Sequence, residues 1–569
     1  MITTLTPVKR FWRMLKPDKT EIRNVYIYAI FNGLIGLSLP LGIQAIVNLI
    51  QGGQINSSWV ILVSIVLLGI AFSGVLQIYQ MYIVENLQQK IFSRAAFEFA
   101  YRVPRIRMET LYKHYAPELM NRFFDTISLQ KGMSKILIDF STAAIQLIFG
   151  LLLLSFYHSF FILFSVALIL LVYVIFLFLG RRGLDTSLEE SKYKYKVAHW
   201  LEELARTNMT FKLAGRTDLH LERTDQEVGN YLQARNKHFR IVVNQFGWMI
   251  AFKVLMAMGL LAIGGILVMQ QQMNIGQFVA AEIIILLIMG SVEKMIMSLE
   301  TIYDVLTSLE KIGQVTDMNM EKREGIELLD ACDDGGIEIS LEKVAFAYPD
   351  YPRNTLSDLT LRIGQGEKVL VAGPNGAGKS TLLQVIAGLY DVKNGSVSYN
   401  GLPKGNLTMT SLRDLTGDYM GDEQIFQGTI LENIAIGRES ASFENVQWAA
   451  KAMGLEGFIR TQPNGYDSML DPLGKKLSRG IIQRLLLARS IAHKPRILLL
   501  ENALEQLDII ERKKIIDFLT DPTNPWTLIA VSSDPYFAQR LDRILIMEDG
   551  RIVDDNADNQ FSQSAPLSV

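Results

Sequence analysis

The chain has 569 residues, too many for one ordinary domain, and its 56 Lys plus Arg against 58 Asp plus Glu exclude the global basic excess expected of a nucleic-acid binder. Apolar residues make up 49% and charged residues 20%, with a mean hydropathy of +0.20, oily enough to predict membrane spans. The single cysteine, Cys332, excludes an internal disulfide, a thiolate metal site and an iron–sulfur centre.

Apolar runs of spanning length fall at about 24–50, 59–80, 138–157, 160–180, 243–269 and 275–292, and nothing comparable follows residue 300. The stretch before the first run, PVKRFWRMLKPDK, lacks the short apolar core and small-residue cleavage site of a signal peptide. Six spans put both ends on one side. Connections 51–58, 157–159 and 270–274 are short and free of Asp, Glu, Lys and Arg, whereas 81–137 and 181–242 are long and charged. The basic-residue bias therefore places the long connections and both termini in the cytoplasm.

The long connections mix Ala, Leu, Glu, Lys and Arg with recurrent apolar positions, which predicts helical extensions of the spans beyond the bilayer. Pro104, Pro117 and Gly215 interrupt them and leave short pieces at 107–120 and 205–215, tips that either dock on a cytoplasmic domain or pack on one another. The expected division is a membrane domain over 1–310, a linker over 311–336, a soluble domain over 337–555 and a mobile polar tail over 556–569. In the soluble domain IEISLEKVAFAYP and GEKVLVAG have strand-like patterns bounded by Pro, Gly and Asp.

The strongest chemical signal follows the strand EKVLVA. Gly373-Pro374-Asn375-Gly376-Ala377-Gly378-Lys379-Ser380 fits GxxxxGK[ST] and leads through Thr381 into a helical pattern. Glycines let backbone N–H groups converge on phosphate, the helix terminus adds partial positive charge, Lys379 is expected to reach the β- and γ-phosphates, and Ser380 to ligate Mg²⁺.

With GTILENI at 428–434, LSRGIIQRLLLARS at 477–490 and KPRILLLENALEQLD at 494–508, the chain resembles the ATP-binding cassette (ABC) exporters of the type I fold, as a half-transporter. The implied fold class is a multidomain membrane protein: a six-helix α-helical transmembrane domain plus an α/β P-loop NTPase domain. The resemblance further implies ATP and Mg²⁺ as cofactors, a second half-transporter chain as partner, ATP sandwiched between the phosphate loop of one chain and the signature loop of the other, and Tyr348 stacked on adenine. It makes 107–120 and 205–215 coupling helices, the second reaching the partner's cassette.

Several positions depart from the family pattern. Glu501 stands where the family closes its Walker B strand with Asp, a carboxylate still suited to magnesium through water. Asn502 occupies the catalytic glutamate position, and an amide orients water but cannot take its proton. Ser533 replaces the switch histidine, and Gly421 the usual glutamine, for which Gln424 could partly substitute. In the signature loop Ser478 and Gly480 are retained, Ile481 replaces the polar last residue, and Arg479 could either clamp phosphate or block approach. After Walker B, Glu505-Gln506-Leu507-Asp508 keeps only its last two residues.

Within the sixth apolar run, Glu282 lies about 10 Å deep at the helical rise and is expected to face a dimer cavity or a polar partner rather than lipid. The six histidines form no HExxH or similar cluster, and no aromatic-basic nucleic-acid surface stands out. The reading is a dimeric bacterial inner-membrane exporter of an amphipathic or peptide-like substrate with impaired hydrolysis. The alternatives are an ATP-binding regulatory or assembly subunit and the degenerate half of a heterodimer.

Overall fold

Pro40 governs the first apolar run. Its missing N–H cannot bond the carbonyl of Gly36, so the run divides into helices Lys19–Gly36 and Ser38–Gln51. The computed structural model describes residues 6–51, 57–322, 324–328, 335–421 and 423–556. Among the described residues, five helical stretches are long and apolar enough to cross a membrane: Pro7–Gln51, Ser57–Arg105, Ala116–Ser155, Leu219–Met269 and Ile275–Thr316. The fourth expected run lies in one helix, Ser159–Arg206, whose apolar part among the described residues covers Ser159–Val174 and which continues into a polar half.

The chain forms two compact units. One comprises Met1–Pro104 and His114–Met318, the other Arg105–Lys113 and Asn319–Val569. In the first, Arg10 from the helix Pro7–Leu15 bonds Asp317 at 2.7 Å and also pairs with Glu310, tying the amino-terminal helix to the end of Ile275–Thr316. Asn274 caps that last helix in a reciprocal box with Gln277, which explains the sharp turn at the charge-free connection 270–274. Its apolar cores gather Leu154, Phe161, Phe252 and Ile288 in one cluster and Val84, Leu129, Met133 and Val305 in another. The interruptions at Pro104, Pro117 and Gly215 lie respectively in the 3-10 turn Val103–Arg105, in the first turn of Ala116–Asn121, and at a positive φ of 71° just after Asn208–Leu213.

In the second unit, strands β1 (Ile339–Phe346), β2 (Leu356–Ile363), β4 (Asn394–Tyr399) and β5 (Leu402–Pro403) form a sheet of order β2-β1-β4-β5, while β3 (Lys368–Ala372) belongs to another. That second sheet runs β12-β11-β3-β10-β9-β6, with β6 (Thr416–Tyr419), β9 (Ile497–Glu501), β10 (Thr527–Val531), β11 (Arg543–Glu548) and β12 (Arg551–Asn556). β7 (Gly428–Thr429) and β8 (Met469–Leu470) make a separate pair. All pairings from β11 to β6 are parallel, and the near-continuous apolar runs of β3, β9 and β10 follow from burial on both faces. The loops after β3, β9 and β10 thus leave one edge of the sheet, where ligands of such sheets bind.

The boundary between the units differs from the expected linker over 311–336. Ile275–Thr316 continues the helix into that span, and the second unit begins at Asn319 because the following residues are bonded to it: Glu321 accepts from both terminal nitrogens of Arg413 at 2.6 and 2.7 Å, Ile326 bridges to Leu407, and Leu328 is buried. Cys332 and residues 557–569 of the expected tail lie outside the described residues.

Candidate functional site

The phosphate loop runs from β3 into the helix Lys379–Ile386. Gly373 takes a φ of 142°, and a Cβ there would run into the carbonyl of Met547 on β11. Gly378 caps the helix in the left-handed region at 96° with no side-chain cap, so the first N–H groups of the helix are offered outward with the partial positive charge of its terminus. Lys379 folds back over this loop and donates to the carbonyls of Gly373 and Pro374, each at 2.8 Å. Asn375 and Gly376 are exposed on the outside of the turn and Ala377 is buried beneath it.

Ser380 donates through its hydroxyl to the Glu501 carboxylate at the end of β9. The extra methylene of Glu501 therefore brings its oxygen directly against the hydroxyl, and this hydroxyl–carboxylate pair is the donor chemistry that a hard, oxygen-seeking cation takes. Asn502 follows at a φ of 49°, its N–H bonded to the carbonyl of Val531 at 2.9 Å and its side chain exposed. Asparagine tolerates that left-handed conformation better than most side chains. Ser533 is exposed in the loop after β10, immediately before Asp534, which caps the helix Pro535–Ala538 and bonds Arg512 at 3.0 Å.

Tyr348 is joined to the same helix. Its hydroxyl donates to Gln384 at 2.8 Å and lies 3.0 Å from that of buried Thr381. Burial raises its phenol above the ordinary range. Its ring does not stand free: Tyr112 stacks on it at 5.2 Å and 19°, with Phe346 and Tyr390 edge-on. Tyr112 belongs to the first part of the expected tip 107–120; the structure divides that tip, with Arg105–Lys113 in this unit and His114 onward in the helical unit. Arg107 pairs with Asp391, Glu109 accepts from the Asp391 N–H at 2.8 Å, and Lys113 meets Asp350 at 2.8 Å. The sequence of the tip shows these aromatic and charged residues but not their partners, which lie more than 200 positions away.

The signature positions lie apart. Ser478 caps the helix Arg479–Ile491, accepting from the Ile481 N–H at 3.4 Å, while Arg479 is exposed in its first turn and Gly480 sits where a Cβ would approach the Gln506 carbonyl at 3.3 Å. Ile481 packs partly buried against the neighbouring core, a structural reason for an apolar residue there. Among the described residues these positions share no hydrogen bond or ion pair with the phosphate loop. Asp508 caps the helix Ile509–Leu519, and its bonds from the Glu511 and Ile510 N–H groups hold its carboxyl below the usual range.

Gln424 is exposed, and its carbonyl accepts from Arg489 at 3.1 Å. Gly421 has a φ of 89°, and its N–H bonds Glu423; burial first, and then the Glu423 carboxylate, push nearby Asp418 upward. His493, buried beside Arg438, is held down to about 4 by burial first and by the Arg438 charge second. In the helical unit Glu282 is exposed on the surface of the single chain and makes no hydrogen bond or ion pair among the described residues. Glu293, at the end of that apolar run, accepts from Lys253 at 2.7 Å.

Fold and site together define a membrane protein with a P-loop nucleotide-binding domain at the carboxy-terminal side of its helices. The ABC transporter transmembrane region model matches residues 23–292, and the ABC transporter model matches 356–505. The chain belongs to the ABC transporters, with membrane region and ATP-binding domain fused in one polypeptide. It is 25% identical over 567 residues to a Bacillus subtilis protein named for multidrug export, an ATP-binding/permease protein, covering 96% of this chain and 95% of that one. It is 24% identical to the transport/processing ATP-binding protein ComA of Streptococcus pneumoniae, covering 96% of this chain and 76% of ComA. A solved bacterial Atm1-family ABC exporter with ATP bound has the same fold, with a TM-score of 0.81, 21% identity and 95% of each chain covered.

Proposed function

We propose that this chain is a six-span half-transporter of the bacterial inner membrane, with both termini in the cytoplasm, that dimerises, binds MgATP and exports an amphipathic or peptide-like substrate with slow hydrolysis. Export is the activity for which the Bacillus subtilis relative is named, and the relatives cover both units of this chain. Tyr348 and residues Gly373–Thr381 hold the nucleotide, with Gln424 at its edge. Ser478, Arg479 and Gly480 of the second chain cover its phosphates, and Glu282 lines the cavity between chains. Lys379 exchanges the Gly373 and Pro374 carbonyls for phosphate oxygens. Ser380 and Glu501 hold Mg²⁺, which would supply charge to offset that of the transferring phosphoryl group.

The observation that carries the slow-hydrolysis reading is Asn502, placed next to the Ser380–Glu501 pair with an amide where a base is needed. Ser533 adds no imidazole to compensate. The same pair of substitutions favours a second reading, an ATP-closed regulatory subunit or the degenerate half of a heterodimer. Nucleotide affinity, phosphate release and substrate-dependent turnover, measured side by side on the purified protein in lipid nanodiscs, test these readings. Binding with slow turnover by the chain alone supports the first. Binding with none supports the second, turnover only with another chain supports a heterodimer, and absence of nucleotide binding overturns all three.

A further inference from the structure

A cavity of about 600 Å³ opens within the helical unit, between the start of the helical return after the first tip, the polar half of Ser159–Arg206, the beginning of Leu219–Gly259 and the end of Ile275–Thr316. Five basic side chains line it: Arg122, Lys192, Lys196, Arg223 and Lys311, the last held below the usual lysine range by burial and by the Arg122 charge. Its three carboxylates do not balance them. Glu310 is taken by Arg10, and Glu118 is shared between Arg122 and His199, each at 3.4 Å.

Two of the cations are set deep. Lys311 is only 7% exposed and has no ion pair or hydrogen bond among the described residues; its ammonium lies over the Tyr195 ring at 5.3 Å. Arg122 approaches the same ring at 5.4 Å, and its Nε and Nη1 are buried without a hydrogen-bond partner. Buried N–H groups of a guanidinium are normally satisfied, so two unsatisfied ones on a residue that lines the cavity are an unmet demand for an acceptor beside it. The phenol of Tyr195 donates to Asp125 at 2.5 Å, and its oxygen makes no hydrogen bond with Arg122 among the described residues. On another wall Arg223 lies over Trp200 at 4.3 Å, and Glu227 keeps one buried oxygen without a donor.

We infer that this cavity is a binding site for a small organic anion bearing phosphate or carboxylate groups, with a hydroxyl or amine to meet Glu227. Arg122 and Lys311 hold the anionic group at the bottom, while exposed Lys192 and Lys196 attract it at the rim. A lipid headgroup is the wrong source. Lys192 to Trp200 lie about 18–30 Å beyond the apolar run ending at Gly180, at ~1.5 Å per residue of continuous helix.

The test uses the full chain in zwitterionic nanodiscs carrying Lys379→Ala, which weakens phosphate at the phosphate loop, so that loss of binding in the cavity variants reports on this site and not on the nucleotide reading. Citrate and inorganic pyrophosphate are titrated calorimetrically, with sodium chloride at matched ionic strength as control. Saturable binding of either probe, weakened at least tenfold by Lys311→Met and by Arg122→Gln, is the expected result, and the preferred probe tells carboxylate from phosphate. Should those variants fail to fold, Lys192→Gln with Lys196→Gln at the exposed rim is expected to weaken binding several-fold. Equal heats from chloride, or undiminished binding in the folded variants, would overturn the site.

Discussion

The phosphate loop and the end of β9 face each other in one domain, yet geometry fixes their residues to very different degrees. The loop is a backbone device. Gly373 and Gly378 occupy positive-φ conformations, one of them pressed against β11, so spacing and residue type are dictated by geometry. The end of β9 is a side-chain device: Glu501 and Asn502 are held by strand pairing and by the Val531 carbonyl, whatever acid or amide they carry. A cassette can therefore keep its nucleotide cradle while its hydrolytic chemistry changes, which is the difference between gripping ATP and turning it over.

The sharpest break of that contrast is to repair the side-chain device alone. Asn502→Glu, with or without Ser533→His, is expected to raise phosphate release by ~10²–10⁴, the usual worth of a general base, with ATP affinity unchanged. No rise would count against Asn502 and Ser533 as the cause of the proposed slow hydrolysis and turn attention to Arg479 and Ile481. Damage to the loop predicts the opposite pattern: Lys379→Ala, losing charge-assisted bonds to phosphate, weakens ATP by about 10–100-fold in calorimetry. Gly373→Ala forces a Cβ into a left-handed backbone beside Met547, and chemical denaturation is expected to show a loss of about 1–3 kcal/mol with weaker nucleotide binding. Gentlest is Tyr112→Ala, which removes one ring stack worth about 0.5–1.5 kcal/mol and is expected to speed hydrogen exchange over 105–113 without unfolding the strands.

Much of the architecture was legible because it follows from local rules. Apolar length marked the membrane helices, Pro104, Pro117 and Gly215 marked the breaks between their extensions, and the strand–glycine–lysine pattern marked the loop after β3. The interior of the linker was not legible. Glu321 and Ile326 look like ordinary polar and apolar residues of a charged connection, and only the distant Arg413 and Leu407 make them part of the second unit. Nor does any sequence pattern announce that Tyr112 covers a face of Tyr348, or that Arg122 and Lys311 converge on one ring.

Chain chemistry alone thus determined the membrane class, the order of helices before strands, and the identity of each group at the candidate nucleotide site. Hydropathy, proline geometry and glycine conformations act within a few residues, and a linear reading captures them. Which groups meet was decided only by folding: the Ser380 hydroxyl on the longer carboxylate of Glu501, the tip on the cassette, and the cations around Tyr195. Those contacts join positions tens to hundreds of residues apart, and their energies depend on burial and distance that no spacing along the chain encodes.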